Sequence, residues 1–369
     1  MAKIFYSMAG EGRGHATRVR SMVERLRHEH ELILFASDDA YEFLAPRYPS
    51  SSSNVQVRRI PGLKFHYTRG RLDLTRSVAC GLSYVTKLPG LVRELRLQID
   101  AERPDLAIVD FEPALPRAAR ACGLPLVSLN HQHFLVACQL RSLPPHLLAY
   151  GQLMRFIVNQ YHSWQDATIV SSFFRAPPRR GYHHVLQVGP LLRPELSKIE
   201  PQSGDYLLSY LRPNTPPRVL ELLRAADREV RVYGLGEREP DGPLKFFPLS
   251  ERTFVEDLAG CAALVGAAGN QTLGEAIYFG KPVLALPEAQ HHEQLINSHF
   301  LRQMGAGDFT TVENFQPRHL SDFLRDLPAL QAAADRYQGR LDGTAAALAE
   351  IERFLPAKTQ RPMPTLATA

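Results

Sequence analysis

The 369-residue sequence predicts an α/β protein of two Rossmann-like domains facing each other across a cleft. Three observations carry that reading. Short β-rich runs alternate with helical patterns along the chain, as parallel α/β units do. The alternation breaks over 190–204 (PLLRPELSKIEPQSG), where three prolines interrupt the periodicity, and then restarts. The length also exceeds the roughly 250–300 residues at which a single core stops growing.

In the first half, strands are expected at 3–7, 31–36, 55–60, 106–110, 125–129 and in ATIVS after residue 166. The linking helices fall over 17–28, 39–46, 88–102 and 112–122. The stretch 131–166, rich in leucine, histidine and aromatics, shows no regular period. In the second half, strands are expected at 205–210, 229–233, 244–247, 262–266 and 282–286. Helices fall over 217–226, 251–260, 270–279 and 292–304, then near 318–326, 329–338 and 342–355. Domains are therefore expected over 1–195 and 205–341, with 357–369 a flexible tail.

An apolar fraction of 44% with 22% charged residues is that of an ordinary globular protein. A net charge of +5 is too modest to argue for nucleic acid and suits anionic substrates or an anionic membrane surface. Cys80, Cys122, Cys138 and Cys261 are scattered without a C-x-x-C pair, as reduced thiols in a reducing compartment would be. The first strand begins within three residues, with no charged leader and apolar run before it. No apolar run approaches the roughly 18 residues of a spanning helix. The expected location is the cytoplasm, and no cofactor is implied.

Chemistry concentrates in three turns. The first, Gly10-Glu11-Gly12-Arg13-Gly14-His15, lies between a strand and a helix. Glycines there let the backbone approach a phosphate, which the unpaired N–H groups of the helix behind them attract. The dinucleotide fingerprint would place its third glycine where His15 stands, although Asp38 and Asp39 near the end of the second strand keep that reading open. No GK[ST] follows, so the turn is not a P-loop.

The second turn is Gly266-Ala267-Ala268-Gly269-Asn270-Gln271-Thr272-Leu273-Gly274-Glu275. A carboxylate at Glu275 can accept two hydrogen bonds from a vicinal diol such as a ribose. It can equally be an early-helix glutamate favoured by the dipole, and the residues alone leave both open. The third turn, Pro287-Glu288-Ala289-Gln290-His291-His292-Glu293-Gln294, opens a helix with polar groups suited to sugar hydroxyls. Adjacent histidines on a helix point about 100° apart, so His291 and His292 do not suit one metal. The chain holds no D-x-D triplet for a metal-bound diphosphate.

The run GAAGNQTLGEAIYFGKPVLALPEAQHHEQLIN resembles the C-terminal signature of GT-B glycosyltransferases. The similarity is to the N-acetylglucosaminyltransferase of the lipid-linked peptidoglycan precursor, the diacylglycerol galactosyltransferases and the UDP-glucuronosyltransferases. Gly280-Lys281-Pro282 matches the turn into the next strand, and Gly12-Arg13-Gly14-His15 resembles the N-terminal Gly-Gly-His. The resemblance implies GT-B architecture, with an N-terminal acceptor-side domain and a C-terminal domain that binds a nucleotide sugar. It implies that the last helix, 342–356, crosses back to the first domain. It assigns Gly269, Asn270, Gln271 and Thr272 to the donor diphosphate, Glu275 to the ribose, and Glu293-Gln294 with Asn297 to the donor sugar. Phe247 and Leu249 would meet the base, with Gly12 and Gly14 on the donor side. The Gly-Gly-Ser turn of the family is here Ser209-Tyr210-Leu211-Arg212-Pro213, where Arg212 would supply a charge instead of backbone donors.

The activity implied is an inverting, metal-independent transfer from a UDP-sugar, or another nucleotide sugar, to an acceptor hydroxyl. Such a displacement needs one general base, and histidine titrates near working pH. His15 matches the family's base, and Asp110, ending a strand at the same sheet edge, would hold its tautomer. His15 can instead anchor phosphate, and Asp110 can cap the following helix. His131 and His133 would face the acceptor. Over 58–103, ten Lys or Arg stand against four acids with apolar residues between them, a candidate peripheral contact with the inner membrane face. A lipid or cell-envelope glycan precursor is the acceptor class implied. Two rival functions remain: a UDP-N-acetylglucosamine 2-epimerase and a catalytically silent nucleotide-sugar-binding protein.

Overall fold

A computed structural model describes the chain except residues 11–12, 50–53, 63–66, 69–70, 73, 162–164, 214, 249 and 357–369. The first half runs β1 (Lys3–Met8), α1 (Arg13–Leu26), β2 (Glu31–Ala36), α2 (Asp38–Leu44), β3 (Val55–Arg59), β4 (Tyr67–Thr68), β5 (Arg71–Leu72) and α3 (Leu74–Glu102). It continues with β6 (Leu106–Asp110), α4 (Ala114–Cys122), β7 (Leu126–Asn130), α5 (Phe134–Ala137), α6 (Pro145–Tyr161), β8 (Ala167–Ser171) and β9 (Leu186–Val188). The second half runs β10 (Leu207–Tyr210), α7 (Pro217–Arg224), β11 (Val230–Tyr233), β12 (Leu244–Phe247), α8 (Glu251–Gly260), β13 (Ala263–Gly266) and α9 (Asn270–Tyr278). It ends with β14 (Val283–Ala285), α10 (His292–Met304), β15 (Gly307–Phe309), α11 (Pro317–Ala334) and α12 (Thr344–Glu352).

These elements build two parallel sheets. The first has the order β3-β2-β1-β6-β7-β8-β9, the second β12-β11-β10-β13-β14-β15. Runs such as Leu106-Ala107-Ile108-Val109 are fully buried because helices cover both faces of the sheet. In each sheet the strand order reverses beside the first strand, β1 in one and β10 in the other. Ligands of doubly wound sheets bind at the carboxyl ends of the strands at such a reversal.

Three departures from the sequence reading have physical causes. The helix expected at 88–102 extends back to Leu74, through Pro89. The two helices expected around Pro328 are one, α11. A proline removes one helical donor, but Leu320, Phe323 and Leu324 before it and Leu330 after it pack on one core and hold the axis together. Strands β9 and β15 are three residues each, too short for alternation to register.

The stretch 190–204 is not a free tether. Leu191, Leu192 and Leu196 are buried, and a Cβ on Gly274 of α9 would lie 2.4 Å from Pro190. The backbone of the second half therefore presses directly on this connection. Ala347 and Ile351 of α12 are buried in the same cluster as Ile4, Tyr6 and Val19 of the first half. Phe174, beyond β8, stacks on Phe300 of α10 with ring centroids 3.8 Å apart. Among the described residues no helix is long and apolar enough to cross a membrane. The basic stretch 58–103 lies partly outside the described residues, and nothing in the rest shows a membrane contact.

Candidate active site

The carboxyl ends of β1 and β6 lie side by side, with Met8 paired to Asp110. The turn after β1 brings the first turn of α1 over Asp110. His15 Nδ1 lies 3.0 Å from Asp110 Oδ1, and the His15 side chain keeps 15% of its surface exposed. Arg18, one turn further along α1, donates to Asp110 Oδ2 from Nε at 2.9 Å and to Oδ1 from Nη2 at 2.7 Å. Burial alone would raise the Asp110 carboxyl, but Arg18 and His15 outweigh it and hold it below the usual carboxylate range. Phe111, immediately after Asp110, sits at φ +56°, a left-handed conformation costly for a non-glycine residue. That turn points Asp110 at His15 while Glu112, two residues on, bonds the Ala114 and Leu115 amides.

Opposite this pair stands the first turn of α10. Burial would raise the Glu293 carboxyl, but His131, His291, His15 and Arg18, which face it from both halves, hold it below the usual carboxylate range. Gln294 Oε1 accepts from the Glu288 amide at 3.2 Å, while its Nε2 is buried with no partner among the described residues. Asn297 donates to Ala268 O at 3.0 Å, and its Oδ1 lies 3.2 Å from His131 Nε2. His131 also lies 3.1 Å from Ser171 O, so it ties the first half to the second. Its exposure is 1%, and burial lowers its pKa. His133, 3% exposed, takes Asn130 Nδ2 at 2.9 Å, and burial pushes its pKa down to about 3. Both expected acceptor-side histidines are thus internal groups of the wall.

The reversal in the second sheet holds the remaining expected residues. Gly269 caps α9 without a side chain, and a Cβ there would meet nothing within 4 Å, so open space fronts the helix N-terminus. Gly14 is equally open. Thr272 is partly exposed in the first turn. Asn270 and Gln271 turn away toward the first half: Asn270 bonds Ser171 O and the Phe173 amide, and Gln271 bonds Leu191 O at 3.1 Å. Glu275 is 2% exposed and forms a two-point pair with Arg193, at 2.6 Å from Nη2 and 3.1 Å from Nε. Arg212, after β10, reaches Glu288 at 3.2 Å with its side chain 41% exposed. Phe247, at the end of β12, stacks on Tyr233 at 5.5 Å. Gly12 and Leu249 lie outside the described residues. Asp38 and Asp39 open α2, where carboxylates suit the helix dipole.

Among the expected residues, His15, Asp110, Glu293 and Gln294 come together from three elements, α1, β6 and α10. Arg18 and Arg193 are the residues that sequence reasoning missed. Arg18 was within reach, because it lies one helical turn from His15. Arg193 follows no pattern in the connection where it sits. No group of three or more described His, Cys, Asp or Glu residues is arranged to hold a metal ion.

Comparison with known proteins agrees with the architecture. The family model described as Glycosyl transferase family 1 matches residues 2–328. An uncharacterized glycosyltransferase of Methanosarcina acetivorans is 26% identical over 331 residues, covering 83% of this chain and 82% of the relative. Among solved structures, LpCGTa in complex with UDP is similar at a TM-score of 0.67 and 18% identity, over 96% of this chain and 99% of that one. MurG of Acinetobacter baumannii is similar at 0.63 and 14%, over 96% and 100%. These likenesses share one fold, two parallel-sheet domains of GT-B type.

Proposed function

The chain belongs to glycosyl transferase family 1, and from that premise we propose that this glycosyltransferase works by inversion, without a metal, on a UDP-sugar. The observation that carries the reading is the His15–Asp110 pair, set at the first sheet's reversal and facing Glu293 and Gln294 of the other half. Similar folds occur in complex with UDP and, for VinC, with dTDP, which supports a nucleoside diphosphate at the second sheet.

The acceptor hydroxyl gives its proton to His15 Nε2 as its oxygen bonds the anomeric carbon from the face opposite the leaving group. The bond from that carbon to the diphosphate breaks, and UDP leaves with the electron pair. Asp110 holds Nδ1–H and stabilises the imidazolium. The α9 N-terminus from Gly269 to Thr272, together with Arg212, takes the charge growing on the diphosphate. Glu293 accepts from sugar hydroxyls, and Gln294 Nε2, which has no partner among the described residues, donates to one. Glu275 takes the ribose by exchanging part of its contact with Arg193, and Phe247 borders the base. Gly14 keeps a side chain out of the way of the donor.

The acceptor lies against the ends of β6 and β7, where His131 and His133 shape the wall. A lipid or envelope-glycan acceptor, a cytoplasmic location and a peripheral membrane contact through 58–103 belong to the same reading. So do the domain limits 1–195 and 205–341, with 342–356 returning to the first domain. A thermal-stabilisation screen across nucleotide sugars, followed by UDP release in excess EDTA, tests it. Stabilisation by no nucleotide, or activity abolished by EDTA, would overturn it. Sugar-nucleotide turnover without free UDP would mark an epimerase instead.

A further inference from the structure

Arg18 is 3% exposed beside the His15–Asp110 pair and touches both members. Its Nε and Nη2 grip the two Asp110 oxygens, and the same Nη2 lies 3.0 Å from His15 Nδ1. Nδ1 therefore has two neighbours with opposite demands. Asp110 Oδ1 can only accept, whereas a guanidinium can only donate. A proton on Nδ1 satisfies Asp110 and leaves Nε2 free to act as a base. A bare Nδ1 would satisfy Arg18 and put the proton on Nε2, where it blocks that role.

We propose that Arg18 is a positioning residue of this pair: it locks the Asp110 carboxylate at Nδ1 and, by sharing its charge, loosens the carboxylate's grip on the imidazolium. The inference rests on His15 as the base and adds how that base is set. An unshared buried carboxylate would orient the ring just as well, but would hold the imidazolium more firmly. With Arg18 paired to Asp110, the carboxylate still fixes the ring while much of its charge is already answered. Among the described residues, the other groups around the pair are few. The Tyr6 hydroxyl of β1 is buried without a hydrogen-bond partner among the described residues, and it interacts electrostatically with Asp110 and Arg18. Glu293 of α10 acts on both His15 and Arg18, and His131 and His291 act on Glu293. Arg18 is the one member of this set whose charge does not change with pH.

Long-range 1H–15N spectra of the histidine rings test the proposal in the full, ligand-free chain, with His15 identified by its loss in His15→Gln. The expected wild-type spectrum has the proton on Nδ1. In Arg18→Met the ring should titrate about 1–2 pH units higher than in wild type, the usual reach of an adjacent opposite charge. Arg18→Lys, which keeps the charge without the fork, should return most of that shift. A wild-type proton on Nε2, or an unmoved titration in a folded Arg18→Met protein, would overturn the proposal. Should Arg18→Met not fold, Arg18→Gln supplies the uncharged comparison under the same criteria. The readout needs no substrate, so it stands apart from the transferase reading. An unimpaired His15→Ala enzyme ends the base assignment, whereas an unmoved titration ends only the role of Arg18.

Discussion

His15 Nδ1 and Asp110 Oδ1 lie 3.0 Å apart although ninety-five residues separate them in the chain. Parallel pairing of β1 with β6 in register, Ser7 to Val109 and Met8 to Asp110, makes that distance. Both side chains then sit at the one edge of the sheet where a crevice opens.

If His15 is the base, His15→Ala should lower turnover by about 10²–10⁴, the usual worth of general-base catalysis. UDP affinity should barely change. Single-turnover rates and donor affinity measured on the same protein separate this from a phosphate-anchoring histidine, which would show weakened binding and an intact chemical step.

Glu275 and Arg193 form a buried ion pair at 2.6 Å. Glu275→Ala leaves the buried Arg193 guanidinium only its 3.4 Å contact with Glu251 and should cost up to about 3–5 kcal/mol of folding stability. The double variant with Arg193→Leu should recover much of that loss, because no charge is then left unpaired. Urea unfolding of the three proteins checks it, and a single-variant cost below ~1 kcal/mol would show that the pair is dispensable. If Glu275 also meets the ribose, Glu275→Gln should weaken UDP binding by about 1.5–3 kcal/mol.

Burial lowers the His133 pKa to about 3. The unfolded chain takes up a proton at this residue near pH 6.5, whereas the folded chain does not until far lower pH. Stability from this group is therefore complete above pH 6.5 and falls with pH below it, by roughly 1.4 kcal/mol per unit. At pH 5 the loss should be about 2 kcal/mol. In His133→Gln the slope of stability against pH between 6.5 and 4 should flatten by that amount, and an unchanged slope would refute the assignment.

Glu251 of α8 accepts from Arg20 of α1, Arg47 beyond α2 and Arg193 of the connection, at 3.2, 2.6 and 3.4 Å. One carboxylate thus links both halves. Glu251→Gln should remove the carboxylate charge these three arginines share and loosen the contact between the halves. Small-angle scattering should report a larger radius of gyration than wild type at low salt, with the difference shrinking as salt screens the charges. Equal radii at low salt would count against the link.

The local pattern of this sequence was enough for the two α/β halves, because alternation of buried runs and amphipathic segments is a property of neighbouring residues. Strands such as 31–36 and 106–110 and helices such as 251–260 and 292–304 stand where periodicity put them. The candidate base His15 and the early-helix Glu293 were legible for the same reason, since glycine-rich turns and helix starts are local signals. The partners were decided by tertiary structure. Arg18 to Asp110 spans 92 residues, Arg193 to Glu275 spans 82, and His131 to Asn297 spans 166, and no spacing rule reaches so far. Tertiary packing also carried α11 through Pro328, where the side chains on either side of the proline share one core. Sequence determined which segments could form each layer. Only the register of β1 against β6, and the press of α9 and α10 on the first half, decided which charges meet, because a buried charge pairs with whichever opposite group the fold brings within reach.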